Sequence, residues 1–135
     1  MPIHDNFQVP ASAQALPIPD GSATKFFILF LASTDPTTKQ SWCSDVRAAL
    51  PLLNATFSAK TSPEVHYVYV GQRTEYKSPD NVYRKNWNIN FVPTLARYER
   101  VDGEVKETGH LIEGELLDKK RISDLLGNQS ILSQI

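Results

Sequence analysis

Ser41-Trp42-Cys43-Ser44-Asp45-Val46-Arg47 holds the single cysteine of the chain, at the point where a polar loop gives way to a helical pattern. Upstream, Phe26-Phe27-Ile28-Leu29-Phe30-Leu31 runs without a polar interruption, as a central strand covered on both faces does. Between the two, Ser33 to Ser41 is polar and without periodicity. Downstream, Val46, Ala49, Leu50, Leu53 and Phe57 recur at the three-and-four spacing of a helix from Cys43 to about Ala59 with one buried stripe. A cysteine at the amino end of a helix meets unpaired backbone amides and the positive end of the helix dipole, and both favour the thiolate. In a Cys-x-x-Cys site the first thiolate attacks a disulfide and the second resolves the mixed disulfide that results. The residue three after Cys43 is Val46, so any thiol chemistry here is one-cysteine chemistry. An inert, buried thiol is the alternative.

The rest of the chain reads outward from that centre. Pro51 falls inside the helical stripe, where the missing amide bends a helix. Val65 to Val70 is rich in β-branched and aromatic residues and predicts a second buried strand ended by Gly71. Ser78-Pro79-Asp80 carries a start signal for a short helix through about Asn86. Thr94 to Arg100 and Glu104 to Leu111 predict a hairpin turning at Asp102-Gly103. Glu115 to Leu126 predicts a closing helix stopped by Gly127. The proline-rich residues 1–24, with Pro2, Pro10, Pro17 and Pro19, favour extended structure, and only Asn6 to Val9 is expected to pair as an edge strand. Domain organisation is thus a segment 1–24, a domain 25–127 and a tail 128–135. The order strand, helix, strand, helix, hairpin, helix implies an α/β fold: a central mixed sheet of four to five strands flanked by helices.

Length and composition narrow the function classes. A chain of 135 residues fits one domain that can bury a core without disulfides. A net charge of -1 offers no broad footprint for nucleic acid or anionic lipid. The longest apolar run is far shorter than the roughly 20 residues a membrane helix needs, so no nucleic acid, no membrane and a monomer are expected. A single cysteine and the lack of a signal-like start point to a cytoplasmic protein. Of two sequons, Asn54-Ala55-Thr56 lies within the expected helix and Asn128-Gln129-Ser130 in the tail. His4, His66 and His110 have no metal-ligand spacing, so no metal is expected.

Four separated features together resemble the thioredoxin superfamily: Trp42-Cys43 between a buried strand and a helix, Pro51 eight residues later, Val92-Pro93-Thr94, and the hairpin with its closing helix. Within it, the chain is most similar to the small thioredoxin-related proteins of fourteen kilodaltons, the thioredoxin domain-containing protein seventeen family. That family's site reads Trp-Cys-Pro-Asp-Cys after an enlarged loop. Here Ser44 replaces the Pro and Val46 the second Cys, while Trp42, Cys43 and Asp45 are retained. Tyr76 to Lys85 also resembles the segment that precedes the cis-proline loop in that family. The resemblance covers about Lys25 to Leu126.

It implies a thioredoxin-like fold and disulfide reduction supported by a NADPH-dependent reductase, an activity that needs two sulfurs. For this chain it implies Cys43 as the nucleophile, with Trp42, Ser44, Asp45, Val46 and Arg47 shaping the site. Val92 and Pro93 would form the loop that faces the sulfur and pairs with a bound peptide. Arg47, one turn beyond Cys43, is placed to support a thiolate or simply to sit on the helix surface. Three functions remain open. The first is a monothiol enzyme acting on a peptide or small-molecule disulfide, with no bound cofactor and glutathione as external reductant. The second is a non-catalytic module holding a protein partner between Trp42 and Val92-Pro93. The third is a redox sensor glutathionylated at Cys43.

Overall fold

In a computed structural model, which describes residues 3–21 and 23–127, five strands form a single mixed sheet in the order β1-β3-β2-β4-β5. The elements run β1 (Ile3–His4), β2 (Phe26–Leu31), α1 (Ser44–Ser58), β3 (Val65–Tyr69), α2 (Arg73–Lys77), α3 (Val82–Lys85), β4 (Thr94–Val101), β5 (Glu104–Ile112) and α4 (Lys119–Leu126). Short 3-10 turns occupy Ala13–Ala15 and Glu113–Leu117. The tail 128–135, with its sequon at Asn128, lies outside the described residues.

β2 is the spine. It pairs in parallel with β3, Phe27 opposite Val65 through Leu31 opposite Tyr69, and antiparallel with β4, Phe26 opposite Tyr98 through Phe30 opposite Thr94. Residues 27–31 are essentially without solvent exposure, which is why this run carries no polar residue at all. α1 lays Val46, Ala49, Leu53 and Phe57 against the sheet, and three of these are large side chains whose burial contributes about 1.5–3 kcal/mol each. Pro51 lies inside this helix. The hairpin turns at Asp102 and Gly103, with φ 55° and 83°, the left-handed pair that matches the twist of the flanking strands. Gly127 ends α4 at φ 78° and donates its N–H to Asp124 O, as the sequence predicts.

Three expectations need correcting. The edge strand is Ile3–His4, in parallel with Val65 and His66, while residues 6–9 are not a strand. Phe7 instead turns its ring onto Phe26 and His66, 5.5 and 4.6 Å between centroids. Ser78-Pro79 does not begin a helix. Ser78 ends α2 in an extended conformation, as a residue before proline is driven to do, and Asn81 starts α3 by accepting from the Tyr83 and Arg84 amides. The expected helix from Glu115 is split: a 3-10 turn buries Leu116, the chain extends at Asp118, and the Asp118 carboxylate caps α4 through the Lys120 and Arg121 amides.

The proline-rich start is built into the same core. Leu16 and Ile18 are buried, Gln14 donates to Val105 O at 2.7 Å, and Arg100 Nε donates to Ile18 O at 2.8 Å.

Candidate functional site

Cys43 sits at the cap position of α1 in an extended conformation, and its carbonyl accepts the first helical bond from the Arg47 amide at 3.1 Å. Its thiol is half-buried and donates to the Val92 carbonyl at 3.5 Å. The Val92–Pro93 peptide bond is cis, Val92 and Pro93 are buried, and Pro93 O accepts from the Glu113 amide at 2.9 Å. The helix head and the proline loop, 49 residues apart in sequence, are thus in direct contact.

The approach to the sulfur is fixed by the loop ahead of it. Thr34 and Ser41 pair as an isolated bridge, Asp35 N donates to Gln40 O, and the Asp35 carboxylate accepts from the Thr37 amide, so the enlarged polar loop is closed on itself. Ser41 is buried. Its hydroxyl donates to Ala32 O at 3.1 Å and accepts from the Cys43 amide at 3.3 Å, tying the residue before the helix to the end of β2. The Arg47 guanidinium donates to Ser41 O and so fastens the loop to α1. Ser44 and Asp45 occupy the first turn with exposed side chains.

Trp42 is held on three sides. Its indole N–H donates to Gly71 O at 2.9 Å, the Arg73 guanidinium lies 4.9 Å from the ring centroid while donating to Trp42 O, and the Tyr76 ring stands 6.0 Å away. Burial pushes the Tyr76 hydroxyl above its ordinary value, opposed by Arg84 and reinforced by Cys43 and Glu113. Val46 has no exposure and packs in the core beneath the site. Among the described residues, no group of three or more His, Cys, Asp or Glu side chains is placed to hold a metal ion.

The structure therefore brings Trp42, Cys43, Val92 and Pro93 together, places Val46 beneath them, and turns Arg47 toward the loop carbonyl. Ser41, Gly71, Arg73 and Tyr76 are site residues that sequence reasoning did not single out. Gly71 reads in sequence as a strand stop. Its φ of 105° and the 3.0 Å approach of Glu75 Cβ to where a Cβ would stand show why a glycine is needed there. Arg73 carried no pattern, because it reaches Trp42 only through the fold.

Residues 13–126 match the family described as thioredoxin domain-containing protein 17-like, thioredoxin domain. A thioredoxin domain-containing protein of Schizosaccharomyces pombe is 43% identical over 101 residues, 74% of this chain and 81% of that one. The thioredoxin-like protein Clot of Arabidopsis thaliana is 37% identical, covering 66% of this chain and 69% of its own. Human thioredoxin domain-containing protein 17 is 36% identical over 53% of this chain and 58% of its own. Among solved structures, a thioredoxin of Trichomonas vaginalis superposes with a TM-score of 0.52 at 15% identity, over 78% of each chain.

Proposed function

The chain belongs to the thioredoxin domain-containing protein 17-like family, with a thioredoxin-like fold, and from that premise we propose that it is a single-cysteine thiol oxidoreductase. The observation that carries the reading is the half-buried Cys43 thiol at the head of α1, against the Val92 carbonyl of the proline loop. The Cys43 thiolate attacks the glutathione sulfur of a glutathionylated thiol. The S–S bond breaks, the target leaves as a thiolate that takes a proton from water, and Cys43 carries the glutathione. A second glutathione thiolate then attacks that adduct, releasing glutathione disulfide and restoring Cys43. Trp42 and the Val92-Pro93 loop flank the incoming disulfide.

Without a resolving thiol at Val46 the enzyme lacks a built-in second nucleophile, so substrates that need dithiol reduction turn over poorly. Glutathione as reductant suits a cytosolic activity. No helix among the described residues is long and apolar enough to cross a membrane.

The test is glutathione-dependent release of thiol from a glutathionylated peptide, which is expected in the native chain and absent in Cys43→Ser. Equal rates in both would refute the reading. Burial of a valine where a second sulfur would act favours one alternative, a binding module that holds a polypeptide between Trp42 and Val92. Under that alternative Cys43→Ser leaves partner binding intact, whereas Trp42→Ala weakens it.

A further inference from the structure

Tyr76 of α2 stands between the two sides of the thiol cleft and touches both. On one side its ring meets the ring of Trp42, the residue before Cys43, at 6.0 Å between centroids and 37° between planes. On the other its hydroxyl donates to Ile89 O at 3.3 Å, three residues ahead of Val92, whose carbonyl accepts from the Cys43 thiol. The phenol is buried, with 8% exposure. Burial raises its pKa above the ordinary value, so the hydroxyl remains a protonated donor near neutral pH.

Several bonds fix the phenol within its own part of the fold. The Tyr76 amide donates to Gln72 O at 2.9 Å, and Asn81 Nδ2 donates to Glu75 O at 3.1 Å. The Arg84 guanidinium donates to Tyr76 O and Lys77 O while lying 5.7 Å from the phenol ring centroid. The loop lacks such a frame. Residues 86–93 form neither helix nor strand, and Asn88 holds the left-handed region at φ 55°. Ahead of Val92 the loop is tied at Ile89, whose amide donates to Tyr83 O at 2.9 Å and whose carbonyl accepts from Tyr76. The bond from the Thr94 hydroxyl to Phe91 O, at 2.6 Å, joins the loop to β4 and not to the Trp42 side.

We propose that Tyr76 is a positioning residue that sets the gap between Trp42 and the Val92 loop, and so decides how bulky a group reaches Cys43. With the hydroxyl bonded to Ile89 O, the Val92 carbonyl is kept on the sulfur and the thiol stays half-covered. Without it the ring still packs on Trp42, but the loop loses its tie to that side and the gap widens. A cleft held at one width favours the extended strand of a polypeptide disulfide over a bulky group, and meets that strand without reordering. That a polypeptide disulfide uses the gap rests on the proposed thiol activity, whereas the role of Tyr76 in setting the gap does not.

The test measures alkylation of Cys43 in the full chain by N-methylmaleimide and by N-pyrenylmaleimide, and takes the ratio of the bulky reagent's rate to the small one's. Tyr76→Phe keeps the ring against Trp42 and Arg84 and removes the hydroxyl alone. It is expected to raise the ratio about fivefold, the equilibrium weight of one hydrogen bond. Tyr83→Phe is the control, since the backbone of Tyr83 and not its hydroxyl binds Ile89, and it is expected to leave the ratio in place. A general loss of stability speeds both reagents alike and does not move the ratio. In turnover of a glutathionylated peptide, Tyr76→Phe is expected to raise KM with kcat retained. Absent turnover together with a raised ratio sinks the proposed activity and not the role of Tyr76. A ratio that does not rise in Tyr76→Phe, or rises as much in Tyr83→Phe, would overturn the proposal, as would an unmoved KM where turnover is present.

Discussion

The Cys43 thiol and the Val92 carbonyl oxygen lie 3.5 Å apart, and this contact joins the head of α1 to the proline loop across 49 residues of chain. A hydroxyl can make the same bond. Cys43→Ser is therefore expected to change stability by less than about 0.5 kcal/mol, while Cys43→Ala loses about 1 kcal/mol by leaving the carbonyl unpaired. Urea denaturation checks both. A serine variant as unstable as the alanine variant would show that the bond does not support the fold.

Val46 occupies the position of the missing second sulfur with no solvent exposure. Val46→Cys removes little volume, so a loss of about 1 kcal/mol or less is expected. On mild oxidation the variant is expected to lose two hydrogens by mass, as an intramolecular disulfide forms between Cys43 and the introduced thiol. Recovery of two free thiols after the same treatment would mean that the first turn of α1 cannot bring the two sulfurs together.

Asn81 works in two directions. Its side-chain oxygen accepts from the Tyr83 and Arg84 amides, and its nitrogen donates to Val70 O and Glu75 O, both at 3.1 Å. Asp118 caps α4 and adds an exposed ion pair with Arg121 Nε at 3.5 Å, which contributes little. Asn81→Ala is thus expected to cost about 2 kcal/mol and Asp118→Ala about 1 kcal/mol. Equal losses in thermal or urea unfolding would contradict this ranking.

His66 lies within aromatic neighbours, with Phe26 and Phe7 at 4.6 Å and His4 at 4.9 Å, and its buried Nδ1 has no partner among the described residues. Burial first, and His4 second, hold its imidazole below the ordinary value of 6.5, with Glu64 pulling the other way. Below that ordinary value the unfolded chain binds more protons than the folded one, so stability falls as pH drops from about 7 toward 5. His66→Phe is expected to flatten that fall. An unaltered pH dependence of the urea midpoint in this variant would remove His66 as its source.

Much of this architecture is legible in the residues because local pattern and tertiary role coincide. The uninterrupted run of β2, the stripe of α1 and the Asp102-Gly103 turn each have one physical solution. The errors fall where two signals compete. Ser78-Pro79 carries both a start signal and the extended bias of a residue before proline, and the second prevails because α2 ends there. The apolar spacing from Glu115 to Leu126 continues across Asp118, but the aspartate caps better than it propagates a helix. At the site, Trp42, Cys43 and Pro93 are visible as chemistry. Arg73 is not, since it acts by stacking on a ring 31 residues away.

The first residues cross the whole sheet. Ile3–His4 pair with β3 at one edge, and the 3-10 turn at Ala13–Ala15 packs on β5 at the other, with His4 bound to Glu64 and Gln14 to Val105 over separations of 60 and 91 residues. A strap fastened at both margins has nothing to fasten to until β3 and β5 stand in place, and its closure bears the entropy of the longest loops in the molecule. The strap is therefore expected to be the last part to form and the first to open. Amide exchange should read this directly, with the Val105 amide, which bonds the Gln14 side chain at 3.3 Å, exchanging before the amides of β2. Slower exchange at Val105 than in β2 would mean that the strap is part of the central unit.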